Sequence, residues 1–204
     1  MTDPWELRPL EGLGPFVFGM SSAEALRHAP AYGGVDEDCQ SSPDSPEQIF
    51  ARFAPMVGED EARAIVAEVL ATGADLRYRR TIAFPSSLAL IFLDDGLEEV
   101  FFAKEGTRLH VAGHRLFGKG VDPLPALREL QARNGEPPLI HDEDCYFRRL
   151  HLTAFAIIAV AADGTIGPCM RGTRLARDRT ISWRATPRAP DEDFACHRPV
   201  DLRP

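Results

Sequence analysis

The chain lacks most of what would announce a particular chemistry. None of its four cysteines, Cys39, Cys145, Cys169 and Cys196, forms a CxxC pair, so the close ligand spacing of a structural zinc site is missing. There is no G-x-S-x-G elbow, no complete phosphate loop around Gly118-Lys119-Gly120, and no G-x-G-x-x-G ahead of a helix. Apolar runs are short. None reaches the roughly 18 residues that cross a bilayer, and the longest, Leu150 to Ala162, is interrupted by His151 and Thr153 and is expected to be a buried strand. The segment MTDPWELRPLEG has no basic stretch followed by an apolar one. We therefore expect no secretory signal, a cytoplasmic setting, and cysteines that stay unpaired.

What is present suits one folded unit. The chain has 204 residues, 44% of them hydrophobic, which is enough for a sizeable core. The net charge of −8 disfavours nucleic acid and anionic membranes as partners. The charge is uneven. Asp36, Glu37, Asp38, Asp44, Glu47, Glu59, Asp60 and Glu61 fall within 26 residues that hold one base, Arg52. From Arg171 onward eight arginines face five acids, a net of +3, which leaves −11 on residues 1–170.

Local patterns predict an α+β fold built on antiparallel strands. Phe16 and Phe18 alternate with Val17 as in a strand, Gly19 suits a turn, and Ser21 with Glu24 has the S-x-x-E spacing of a helix capping box. Residues 31–45 are expected to be a polar loop. A helical insertion follows at 46–72: Pro46 opens a first helix with Ile49, Phe50 and Phe53 on one side. A second helix from Glu59 to Ala71 carries Ala62, Ile65, Val66 and Val69 as its apolar stripe, with acids at its favourable N-terminal end. Leu76–Phe84, Leu88–Leu93 and Leu97–Ala103 then read as a meander, with Asp94-Asp95-Gly96 as a turn.

A second strand–helix–strands series follows. Asp122 caps a helix bearing Leu124, Leu127 and Leu130, Gly135 ends it, and strands are expected at Cys145–Leu150, Leu152–Ala161 and Thr165–Met170. The order suggests two pseudo-repeated halves, about 9–104 and 105–170, in a single domain of residues 1–178. Residues 179–204, rich in Arg and Pro, are expected to be an extended tail with Trp183 and Phe194 as its anchors.

The segment GLGPFVFGMSSAEAL, residues 12–26, resembles a G-[IVL]-G-P-x-x-[FL]-G-M-[ST]-x-x-E motif found near the start of many small, mainly actinobacterial proteins, some of which are treated as immunity proteins of polymorphic toxins. FLDDGLEEVFF and HVAGHRLFGK are similar to later elements of that family, so the likeness covers about residues 9–30 and 88–160. The stretch YFRRLHLTAFA lacks the Gly and Trp of the family's Leu-Gly-Leu-x-Leu-Trp ending. The resemblance implies a fold and an association with toxin neutralisation. It brings no catalytic residues.

Three side-chain groupings invite a chemical interpretation. His110 and His114 have a metal-pair spacing if helical, but in a strand they would share a face about 13 Å apart. The run His141-Asp142-Glu143-Asp144-Cys145 holds every metal-ligand type in a polar loop where consecutive residues diverge. Cys145 or Cys169 with His141 or His151 as base is the alternative of an unrecognised enzyme. We expect no metal and no cofactor. The reading that charge and shape favour is a protein-binding module, with Asp36, Glu37, Asp38, Glu59, Asp60 and Glu61 lining an edge that meets a basic partner such as a toxin domain. An accessory protein working through its Arg-rich tail is the remaining alternative.

Overall fold

The computed structural model describes residues 3–42, 45–71, 77–103, 108–161, 165–169, 179–187, 194 and 196–203. The chain is α+β. It opens with β1 (Leu7–Arg8), β2 (Gly12–Leu13), β3 (Phe16–Val17) and the short helix α1 (Ser22–Leu26), then β4 (Glu37–Ser41). Two helices follow, α2 (Pro46–Val57) and α3 (Glu59–Ala71), then β5 (Arg79–Ala83), β6 (Leu88–Leu93) and β7 (Gly96–Ala103). The second half has the hairpin β8 (His110–Val111) and β9 (His114–Arg115), α4 (Leu124–Asn134), β10 (Leu139–His141), β11 (Asp144–Phe147) and β12 (Leu152–Phe155). It closes with β13 (Ile158–Val160), β14 (Ile166–Pro168), β15 (Thr180–Arg184) and β16 (Arg198–Pro199).

Nine of these strands form one antiparallel sheet in the order β16-β10-β11-β12-β15-β7-β6-β5-β4. Its register places side chains in rows that explain the core. Ile82, Leu90, Val100, Trp183, Leu152 and Phe147 stand opposite one another across six strands. Leu88, Phe102, Ile181, Ala154, Cys145 and Ile140 form the neighbouring row. All twelve are buried. Because strand side chains alternate between faces, both rows point the same way, and burying each large member contributes about 1.5–3 kcal/mol. The face is shared with residues of the N-terminal strands and α4, including Leu7, Leu13, Phe16, Leu127 and Leu130. The indole N–H of Trp183 donates to the carbonyl of Gly12 at 3.1 Å, which ties the sheet to the N-terminal hairpin.

The motif near the start does structural work. Ser21 Oγ accepts from the Glu24 amide, and the Glu24 carboxylate accepts from the Ser21 amide, so the capping box forms as expected. Gly12 is required by crowding: it has φ +142°, and a Cβ there would lie 2.0 Å from the Phe16 carbonyl oxygen. A second capping box, Ser45 with Gln48, opens α2.

Four expectations need correction. Residues 37–41 are a strand, β4, where a loop was expected. Every residue of β4 is exposed, so no apolar alternation marks it, and it is held by backbone pairing with β5. The described part of residues 179–204 is not a tail outside the domain. Thr180–Arg184 is a strand between β12 and β7, with Ile181 and Trp183 fully buried. The C-terminal segment also docks: β16 pairs with β10, and Leu202 is buried against α4, its amide donating to Gln131 Oε1 at 2.7 Å. The expected strands at Cys145–Leu150 and Leu152–Ala161 are interrupted by a 3-10 turn at Arg148–Leu150 and by bends at Ala156 and Ile157, where His151 and Ala156 take positive φ. The pseudo-repeat is not established. Each half has a hairpin followed by a helix, but three strands close the first half and five, β10–β14, the second, and β4 with α2 and α3 has no counterpart in the second half. Leu76, Met170 and residues 171–178 lie outside the described residues.

Candidate interaction surface

The six acids named from sequence occupy two places. Glu37 and Asp38 begin β4, the last strand on one side of the sheet among the described residues, and Asp36 immediately precedes it. Glu59, Asp60 and Glu61 form the first turn of α3. All six residues are exposed. The backbone of this edge is aligned by β5: the Asp36 amide donates to the Ala83 carbonyl, and Glu37 stands opposite Ala83.

The acids are not equivalent. Asp38 points to the core side of the sheet, where Arg80 Nε and Nη2 hold its carboxylate at 2.9 and 2.6 Å. Arg80 also donates to Ser22 Oγ at 2.7 Å, and Ser22 donates to Asp95 Oδ1. The hydrogen bonds from Arg80 hold the Asp38 carboxyl below the usual carboxylate range, and those from Ser22 do the same for Asp95. Asp38 is thus committed to joining β4, β5, α1 and the β6–β7 turn. Glu37 lies on the opposite face and accepts a hydrogen bond from the Cys39 thiol at 3.0 Å, which raises the thiol's pKa. At α3, Arg63 bridges Glu59 at 2.8 Å and Asp60 at 3.0 Å, and its guanidinium lies 5.8 Å from the centroid of the Phe50 ring on α2. These ion pairs are solvent-exposed and contribute little to stability.

The other groupings separate. His110 and His114 sit on opposite strands of the β8–β9 hairpin, on either side of a turn at Ala112-Gly113, and not along one strand. His110 Nε2 lies 3.3 Å from Asp3 Oδ2, and Val111 is the residue opposite His114. In the 141–151 run, Cys145 points into the core, and burial pushes its thiol pKa upward, away from the thiolate a nucleophile needs. Its neighbours Asp144 and Tyr146 fall on the other face. His141 and Asp142 instead meet the C-terminal segment around a hollow of about 330 Å³ that Cys196 and Arg198 also line, with the His141 and His197 rings 5.3 Å apart. Proximity to residues 196–198 was hidden in sequence, because it depends on the β10–β16 pairing. No group of three or more His, Cys, Asp or Glu side chains among the described residues is arranged to hold a metal ion. No described helix is long and apolar enough to cross a membrane.

No family model matches the chain, and neither a curated protein nor a solved structure is found to match it.

Proposed function

We propose that the chain is a protein-binding module that engages a basic partner through its acidic projections, as an immunity protein covers the active site of a toxin. The observation that carries this reading is the placement of Asp36, Glu37, Glu59, Asp60 and Glu61: all are exposed, at the start of an edge strand and at a helix start, and none is drawn into the core. Negative charge in such positions speeds encounter with a basic surface more than it adds to final affinity. It also discourages edge-to-edge pairing between copies, because like charges would be juxtaposed. The toxin-neutralising role rests on the motif resemblance at residues 12–26.

The test is binding to the product of the adjacent gene, where that encodes a modular toxin, by stopped-flow association at low and high salt. Reversal of Glu37 together with Glu59, Asp60 and Glu61 to lysine is expected to slow association at low salt by about tenfold or more and to flatten its salt dependence. Unchanged association rate and unchanged salt dependence would overturn the reading.

A further inference from the structure

The helical hairpin α2–α3 is an incomplete bundle. Its helices join through Gly58 alone, at φ +89°, and pack chiefly on each other. Only Ile49 and Ala62 are buried in it. Phe50, Phe53, Ile65 and Val66 are only half-buried, and Met56 and Val57 at the tip are 67% and 44% exposed. A helix pair with apolar residues on facing stripes normally buries them against a third element. Here none of the sheet strands and neither α1 nor α4 packs closely on the pair.

Charge selects among possible occupants. The hairpin carries five carboxylates, Glu47, Glu59, Asp60, Glu61 and Glu68, against Arg52 and Arg63. At the tip, exposed Met56 and Val57 run directly into the acidic turn Glu59–Glu61. A second copy would bring the same net negative charge to the contact, and an anionic bilayer would be repelled. A basic amphipathic helix meets both demands: its apolar stripe covers the half-buried residues together with exposed Met56 and Val57, and its Lys and Arg flanks meet the carboxylates. Arg63 over Phe50 already shows a guanidinium accommodated on this aromatic surface.

We infer that α2–α3 is a docking site for a basic amphipathic helix of a partner protein, which completes a three-helix bundle. This rests on the protein-binding reading above and names the element and the partner's form.

The probe is a synthetic amphipathic peptide of about three to four helical turns, with leucines at i, i+3, i+4 and i+7 and Lys/Arg flanks. Its control has the same leucines with Glu/Asp flanks. Both are titrated into the full chain by fluorescence anisotropy, and the contact is mapped by amide chemical-shift changes. The basic peptide is expected to bind at least about tenfold tighter than the acidic one, to perturb residues 46–71, and to lose about tenfold in affinity when Met56 and Val57, both already in solvent, become lysine. Equal binding of the two peptides overturns the inference. So do shift changes centred outside the hairpin, self-association abolished by the Met56→Lys/Val57→Lys variant, or binding to anionic vesicles that the same variant abolishes. A toxin bound with unchanged affinity by that variant defeats the docking site while leaving the binding-module reading intact. If the basic peptide docks on the hairpin as described and the adjacent-gene product does not bind, the docking site stands and only the toxin assignment falls.

Discussion

Strands β4 and β15 have the same length and opposite fates. Both are five residues long and both pair antiparallel within the one large sheet. β15 lies between β12 and β7 and buries Ile181, Ser182 and Trp183. β4 ends the sheet and buries nothing. The difference shows that strand formation here needs no common sequence signal. β15 is held by side chains on its core face, whereas β4 is held by backbone hydrogen bonds and by the Asp38–Arg80 contact.

Variants can break or sharpen that contrast. The largest effect is expected for Trp183→Ala, which removes the biggest buried side chain and its hydrogen bond to the Gly12 carbonyl. A loss of about 3–5 kcal/mol, read by denaturant unfolding, follows from large-to-small core substitution. Next comes Glu98→Ala, beside the end of β15. The Glu98 carboxylate accepts from the Thr186 hydroxyl and from its amide, and the Glu98 carbonyl accepts from the Ala185 amide at 2.8 Å. Thr186 is exposed and water can replace the carboxylate, so losing these bonds is expected to cost about 0.5–1.5 kcal/mol in the same assay.

On β4 the effects shrink. Asp38→Asn should cost roughly 1 kcal/mol or less, since the pair is partly exposed. It should also flatten the acid limb of stability. The carboxyl pKa of Asp38 is lowered on folding, so its contribution is present above the unfolded value of about 4 and is lost as pH falls through the folded one. Wild type should therefore lose this increment below about pH 4, and the variant should have none to lose. Gln40→Ala, the fourth residue of β4, is expected to stay within about 0.5 kcal/mol of wild type. A cost above that would mean the edge is held by more than backbone pairing and the Asp38–Arg80 contact.

Legibility in the sequence follows the same division. Where a pattern was local, it was readable: the Ser21–Glu24 cap, the helix Glu59–Ala71 and the strand Leu88–Leu93 lie where spacing placed them. Thr180-Ile181-Ser182-Trp183-Arg184 does alternate, but its Arg- and Pro-rich surroundings masked five residues of strand pattern. Ser45-x-x-Gln48 is a capping signal of the same kind as Ser21-x-x-Glu24 and was there to be read. Glu37–Ser41 offers no alternation at all, and its pairing is specified by β5, some forty residues away. For the candidate surface, sequence located the acids, but only the structure separates Asp38, engaged by Arg80, from Glu37 on the other face.

The central position of β15 also constrains how the polypeptide is made. β7 and β12, nearly fifty residues apart, do not touch as neighbours; each pairs with a strand synthesised after both. During translation the two half-sheets must wait with apolar edges unjoined until residues 180–184 have left the ribosome, and only their late insertion converts two partial sheets into one. Such long-range closure slows folding and prolongs exposure to aggregation.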